Sequence, residues 1–170
     1  MIERVLEAIR PDAAQGEVPE LPRYETSRGP GSTAEVDFWS RRDVREVAKS
    51  HVNLVVADTQ RWEQSAAYFL DTHPRVEAFV KNAGLGFAIP YVHNGEDHDY
   101  VPDFLVRLAG SPPLNLILET KGYDPLKEIK AAAAGRWASA VNAEATKGRW
   151  AYRVVTHPSE VARAVESCRG

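Results

Sequence analysis

The sequence predicts an α/β fold, a mixed central sheet flanked by helices, and three observations carry that expectation. Short apolar segments rich in Leu and β-branched residues recur between turn signals, above all over residues 100–106 and 116–122, as strands do. Stretches with helical periodicity or helix punctuation stand among them, notably residues 58–70 and the run that starts at Asp124-Pro125. From Asp58 onward the two kinds follow one another as helix, three strands, helix, strand and helix, the order of a sheet covered by helices. A chain of 170 residues that is 44% hydrophobic suits one domain with a sizeable core.

Taken in order, residues 2–9 predict a short helix with Ile2, Val5, Leu6 and Ile9 on one face. Residues 11–34 hold Pro, Gly and Ser with little periodicity. Residues 1–34 are therefore expected to be a flexible segment or linker, and residues 35–170 the folded domain. Residues 36–39 and 53–57 predict strands. Residues 58–70 predict an amphipathic helix capped by Asp58 or Thr59, with Trp62, Ala66, Phe69 and Leu70 as its apolar stripe. Residues 74–82, opened by Pro74 and closed by Gly84, predict a second helical stretch. Residues 87–93 predict a strand ending at an Asn94-Gly95 tight turn. Asp124-Pro125 supplies the cap and first-turn proline of a helix running to about Asn142, in which the small residues 131–134 permit close packing. Residues 149–155 predict a strand and 159–166 a last helix.

The chemistry concentrates in the hairpin. Ala109-Gly110-Ser111-Pro112-Pro113 separates the two apolar strands, and a hairpin symmetric about Ser111 sets Asp103 opposite Glu119. Side chains alternate along a strand, so Glu119 and Lys121 share a face and Thr120 points away. Two carboxylates and an ammonium thus converge at one end of an apolar hairpin. Hard divalent cations prefer such oxygen donors, and a bound ion activates water and stabilises a leaving oxygen. Lys121 could orient or deprotonate that water, or bind a phosphate.

Pro102-Asp103 followed by Glu119-x-Lys121 matches the signature of the PD-(D/E)XK nucleases, and a longer run is more specific. That run includes Val80-Lys81-Asn82-Ala83-Gly84-Leu85-Gly86-Phe87, Tyr100-Val101-Pro102-Asp103-Phe104 and Leu118-Glu119-Thr120-Lys121-Gly122. Upstream it has Val36-Asp37-Phe38, Lys49-Ser50-His51-Val52-Asn53 and Trp62-Glu63; downstream, Arg136-Trp137, Ala140-Val141-Asn142 and Gly148-Arg149-Trp150. Over residues 35–155 the chain resembles the C-terminal nuclease region of the Res subunit of Type III restriction endonucleases. The resemblance implies a PD-(D/E)XK, restriction-endonuclease-like fold and Mg²⁺-dependent hydrolysis of DNA phosphodiester bonds, with Mn²⁺ able to substitute. It implies Asp103 and Glu119 as metal ligands, the Thr120 carbonyl as a third, and Lys121 positioning or activating water. It also implies a helix carboxylate, for which Glu63 is preferred and Glu77 is the rival. In a full-length protein it implies a helicase-like ATPase region and a methyltransferase partner that reads DNA sequence. No P-loop motif occurs in these residues.

Net charge is −3, so positive charge for DNA must be local. Lys127 and Lys130, one helical turn apart after the hairpin, are the candidates for phosphate contact. Trp137, Trp150 and Tyr152 suit packing better than base stacking. His93 and His98 flank Glu96, Asp97 and Asp99 without the helical pairing of a zinc site. The single cysteine, Cys168, excludes an internal disulfide. No stretch is apolar enough to span a membrane, and charged residues among the first ten argue against a signal peptide, so a cytoplasmic location is expected. The other reading is a non-catalytic DNA-binding or assembly module. A lysine acting on a carbonyl substrate is disfavoured, because adjacent carboxylates raise that lysine's pKa.

Overall fold

The computed structural model describes residues 32–56, 62–120, 122 and 124–168. The expected 2–9 helix, the Asp58 and Thr59 caps and Lys121 lie outside these residues, as does most of the 1–34 segment; a 3-10 turn, Thr33–Glu35, spans its boundary with the expected domain.

The described residues are mixed α/β with three α-helices. In chain order the elements are β1 (Val44–Glu46), β2 (Leu54–Val56), α1 (Trp62–Thr72), β3 (Val76–Lys81), β4 (Ile89–His93), β5 (Glu96–Tyr100), β6 (Phe104–Leu108), β7 (Leu114–Thr120), α2 (Lys127–Glu144), β8 (Arg149–Val155) and α3 (Val161–Ser167). The central sheet runs β3-β6-β7-β8, antiparallel at the first two junctions and parallel at the third. A parallel pair needs a crossover, and α2 supplies it between β7 and β8. β1–β2 and β4–β5 are separate two-stranded ribbons.

Alternation along the strands sorts the core into two layers. Phe104, Val106 and Leu108 of β6 and Leu114, Leu116 and Leu118 of β7 face one way, toward Ala66, Ala67 and Leu70 of α1 and Val161 and Val165 of α3. On the other face Ile117 meets Ala133 and Ala134 of α2 and Ile89, Tyr91 and Tyr100 of the β4–β5 ribbon. Alanines at this helix contact let α2 approach the sheet closely. Phe87, Trp137 and Trp150 finish that layer with ring centroids 5.1–6.0 Å apart, so these tryptophans are packing residues. Asn142 seals the junction, its amide bonding both the N–H and C=O of Trp150 at 2.7 and 2.8 Å.

Several expectations change. Within residues 74–82 the chain forms strand β3, Val76–Lys81, rather than a helix. A register irregularity between Val76 and Ala78 brings Val76 and Phe79, three residues apart, to one face, and Val80 is buried on the other, so the apolar positions have helix-like spacing while the backbone stays extended. Glu77 is therefore on a strand, exposed and paired with Arg107 at 3.1 Å, and is withdrawn as the helix carboxylate. Among the described residues, 36–39 pair with no strand, and the Trp39 side chain stands in solvent. The segment expected as one strand over 100–106 is divided: Tyr100 ends β5, Asp103 sits in a bend, and Phe104 opens β6. The polar run Glu96–Tyr100 forms the strand that pairs with β4. Asn94 and Gly95 link the two with φ of 53° and 81°, both positive as a type I′ turn requires.

Candidate active site

The expected hairpin register is present. Phe104 pairs with Leu118 and Leu108 with Leu114, so pairings are symmetric about Ser111 and the next step outward joins Asp103 to Glu119. The Asp103 N–H donates to Glu119 Oε2 at 3.1 Å. From that point the two carboxylates diverge. Glu119 lies on the Ile117 side of β7, where Oε2 also accepts from the Tyr100 hydroxyl at 2.7 Å. Asp103 turns its carboxylate to the opposite side. Its Oδ2 accepts from the Thr120 N–H at 2.8 Å and the Thr120 hydroxyl at 2.7 Å. Thr120 does point away from Glu119, as alternation requires, but it points at Asp103. The pair straddles the end of β7 instead of sharing one face.

Lys81 was missed from sequence. Its ammonium lies 2.9 Å from Asp103 Oδ1 and 3.8 Å from Glu63 Oε1. The Lys81 and Glu63 side chains are each only 7% exposed, so this is an interior ion pair and not a surface one. Phe104 lies beneath the ammonium, with its ring centroid at 5.3 Å. A strand reading of residues 76–81 would have put Lys81 on the Phe79 side, a charge on an apolar face, and that was the available signal. Asn82, next along the chain, fixes the neighbouring backbone. Its N–H donates to the Asp103 carbonyl at 2.8 Å, and its amide nitrogen donates to the Phe87 and Pro102 carbonyls.

The structure thus brings Glu63, Asp103 and Glu119 to one end of the central sheet, with Lys81 between the first two. Thr120 joins them through its N–H and hydroxyl. Lys121 follows Thr120 in sequence but lies outside the described residues. Lys127 and Lys130 occupy the first turn of α2. Lys130 is tied to Asp124 Oδ2 at 2.9 Å, and Asp124 in turn accepts from the Leu126 N–H in a cap-like turn. His98 stacks on Tyr91 with centroids 5.3 Å apart. Among the described residues, no group of three or more His, Cys, Asp or Glu side chains is arranged to hold a metal ion. The donor chemistry nevertheless suits a hard cation: all three side chains offer carboxylate oxygens, and two of them already share a cationic group.

Tyr100 is raised well above the ordinary tyrosine value, first by burial, then by the Glu119 carboxylate and by Tyr152. Its one proton serves Glu119, so Tyr152, whose hydroxyl lies 3.2 Å away, donates to the Tyr100 oxygen. The unfolded chain releases this proton near pH 10 and the folded protein does not, so stability falls as pH rises above that value. Tyr100→Phe is therefore expected to leave the amplitude of a spectrophotometric phenol titration around pH 10 unchanged. A smaller amplitude would show Tyr100 ionising with the exposed tyrosines.

Comparison with known protein families, with curated proteins and with solved structures finds no match to this chain in any of the three. Among the described residues no helix is long and apolar enough to cross a membrane.

Proposed function

We propose that this chain is a metal-dependent nuclease domain of the PD-(D/E)XK type that hydrolyses DNA phosphodiester bonds. The observation that carries the reading is the meeting of Asp103 and Glu119 at the end of the β6–β7 hairpin, joined by the Asp103 N–H, with Glu63 brought to Asp103 through Lys81.

Asp103 and Glu119 would hold Mg²⁺ or Mn²⁺, with Glu63 contributing directly or through water, and the Thr120 carbonyl at the same strand end. When bound, the ion would polarise the phosphoryl group and lower the pKa of water. The protein's own part is orientation. Tyr100 and the Asp103 N–H fix one oxygen of Glu119, and Thr120 fixes one oxygen of Asp103. These bonds hold the two carboxylates on opposite sides of the end of β7, so a shared ion would require one of them to turn. Lys121, next after Thr120, would position the attacking water or receive its proton, and Lys127 at the α2 N-terminus would meet DNA phosphate. In a larger protein, a helicase-like ATPase region and a methyltransferase partner would supply movement and sequence recognition.

The test is cleavage of supercoiled plasmid by the purified chain with Mg²⁺, with Mn²⁺ and with EDTA, alongside Lys121→Ala. Metal-dependent nicking that disappears in EDTA and in the variant is expected. Nicking that survives in Lys121→Ala would remove that lysine from the mechanism. A second reading, a DNA-binding or assembly module that keeps the fold, is favoured by one observation: the Lys81 ammonium already neutralises Asp103. Tight DNA binding in EDTA without turnover in any metal would decide for it.

A further inference from the structure

We propose that Lys81 is a built-in competitor for the divalent ion, a tethered cation that must leave the Asp103–Glu63 gap before metal enters, and so sets the metal affinity of the site. The proposal rests on the metal-site reading above and goes beyond it by assigning a residue outside the Asp, Glu and Lys set of the hairpin.

Three features make this more than a chance ion pair. The ammonium lies at hydrogen-bond distance, 2.9 Å, from Asp103 Oδ1, while Oδ2 is already committed to Thr120. A metal seeking Asp103 must therefore compete for Oδ1 or displace the Thr120 donors. Secondly, Lys81 is not free to wander. Its backbone pairs with Phe104 at the end of β3, and the next residue, Asn82, clamps the Pro102 and Asp103 carbonyls. The cation and the carboxylate it neutralises are thus fixed to each other through the main chain. Thirdly, the side chain is buried against the Phe104 ring, where solvent screens its charge poorly.

The electrostatic consequence has a definite sign. In the metal-free protein Lys81 relieves the repulsion between Asp103 and Glu63. To an arriving divalent ion it presents a like charge a few ångströms away, held by the same oxygens. Replacing it by an uncharged side chain of similar length removes the competitor and strengthens metal binding. If Lys81 merely braced the fold, its loss would loosen the carboxylates and weaken metal binding. The two roles predict opposite changes.

The experiment is calorimetric titration of Mn²⁺ into the full chain, comparing the wild type with Lys81→Met, Lys81→Arg and Asp103→Asn. Lys81→Met should bind Mn²⁺ about tenfold more tightly, and Lys81→Arg, which keeps the charge, within about twofold of wild type. Should Lys81→Met fail to fold, Lys81→Gln makes the same comparison. Binding by Lys81→Met where the wild type shows none would support the proposal in its strongest form. Unchanged or weaker binding by the uncharged variant, with Asp103→Asn still abolishing it, would overturn the role of Lys81 and leave the metal site standing. Wild-type affinity in Asp103→Asn, or no binding by either the wild type or Lys81→Met, would overturn the metal-site reading and this proposal with it.

Discussion

Asp103→Ala should lower metal-dependent plasmid cleavage by at least about a hundred- to a thousandfold, the scale on which removing one electrostatic element of an active site is felt. The same change should cost about 3 kcal/mol of stability, because Asp103 is the near partner of an interior ammonium and accepts two bonds from Thr120. Two readouts are therefore needed, initial nicking rate and urea unfolding. They are separable through Lys81. Once Asp103 is gone, the ammonium loses its partner at 2.9 Å, while Glu63 stands farther off at 3.8 Å. Adding Lys81→Met removes the buried charge that Asp103 had neutralised, so the double variant should be less destabilised than the sum of the single changes. Cleavage should not recover, since the missing carboxylate is still missing. Wild-type cleavage by Asp103→Ala would sink the mechanism. Strict additivity in unfolding would show that Lys81 and Asp103 do not interact.

The parts of this arrangement that were legible in sequence are those set by local pattern. The Gly110-Ser111-Pro112-Pro113 turn lies between two mostly apolar segments, Phe104–Leu108 and Leu114–Leu118, interrupted only by the mutually paired Arg107 and Asn115, and that set the register that joins Asp103 to Glu119. The strand expected over 149–155 follows from its aromatic and valine content, whereas the helix expected from Asp124-Pro125 starts only at Lys127, with Leu126 at its N-cap and no side-chain cap; Asp124 instead accepts from the Leu126 N–H in the turn before it. The Asn94-Gly95 turn was readable because positive φ at two successive positions restricts the residues that fit. Its second strand was not, because Glu96, Asp97, His98 and Asp99 have low strand propensity and pair only because β4 lies alongside.

What the pattern hid was Lys81, the ammonium between Asp103 and Glu63. The irregularity at Val76–Ala78 adds a residue to the strand and so puts Val76 and Phe79 on one face at a spacing of three, and burial of Val80 on the other face completes a helix-like pattern. With Pro74 before it and Gly84 after it, the segment carries helix punctuation at both ends. Read as a helix, Lys81 is one more surface charge. Read as a strand, it lies beside Phe79 on the face that meets α1 and Glu63. The side chain of Asp103 was obscured for a related reason. It stands in a bend just before β6, where alternation no longer dictates direction, and the Thr120 donors draw it across the end of β7.

Phe104→Ala should destabilise the protein by about 3–5 kcal/mol, the range for truncating a fully buried aromatic ring in a packed core. Phe104 is completely buried, its ring lies 6.3 Å from that of Phe79, and its backbone pairs with Lys81 on one side and Leu118 on the other. It is also the residue directly after Asp103. The cavity left by the ring would open beneath the Lys81 ammonium, so stability and site geometry should fail together. Phe104→Leu, which keeps most of the volume, should cost less than about 1.5 kcal/mol and retain Mn²⁺ binding. Val101→Ala, three residues earlier and largely exposed, should stay within about 0.5 kcal/mol of wild type. Urea unfolding of the three variants checks the order. If Phe104→Ala cost no more than Val101→Ala, β6 would have to be shifted by one residue in the sheet. That slip would turn Phe104 to the opposite face and separate Asp103 from Thr120 and Lys81.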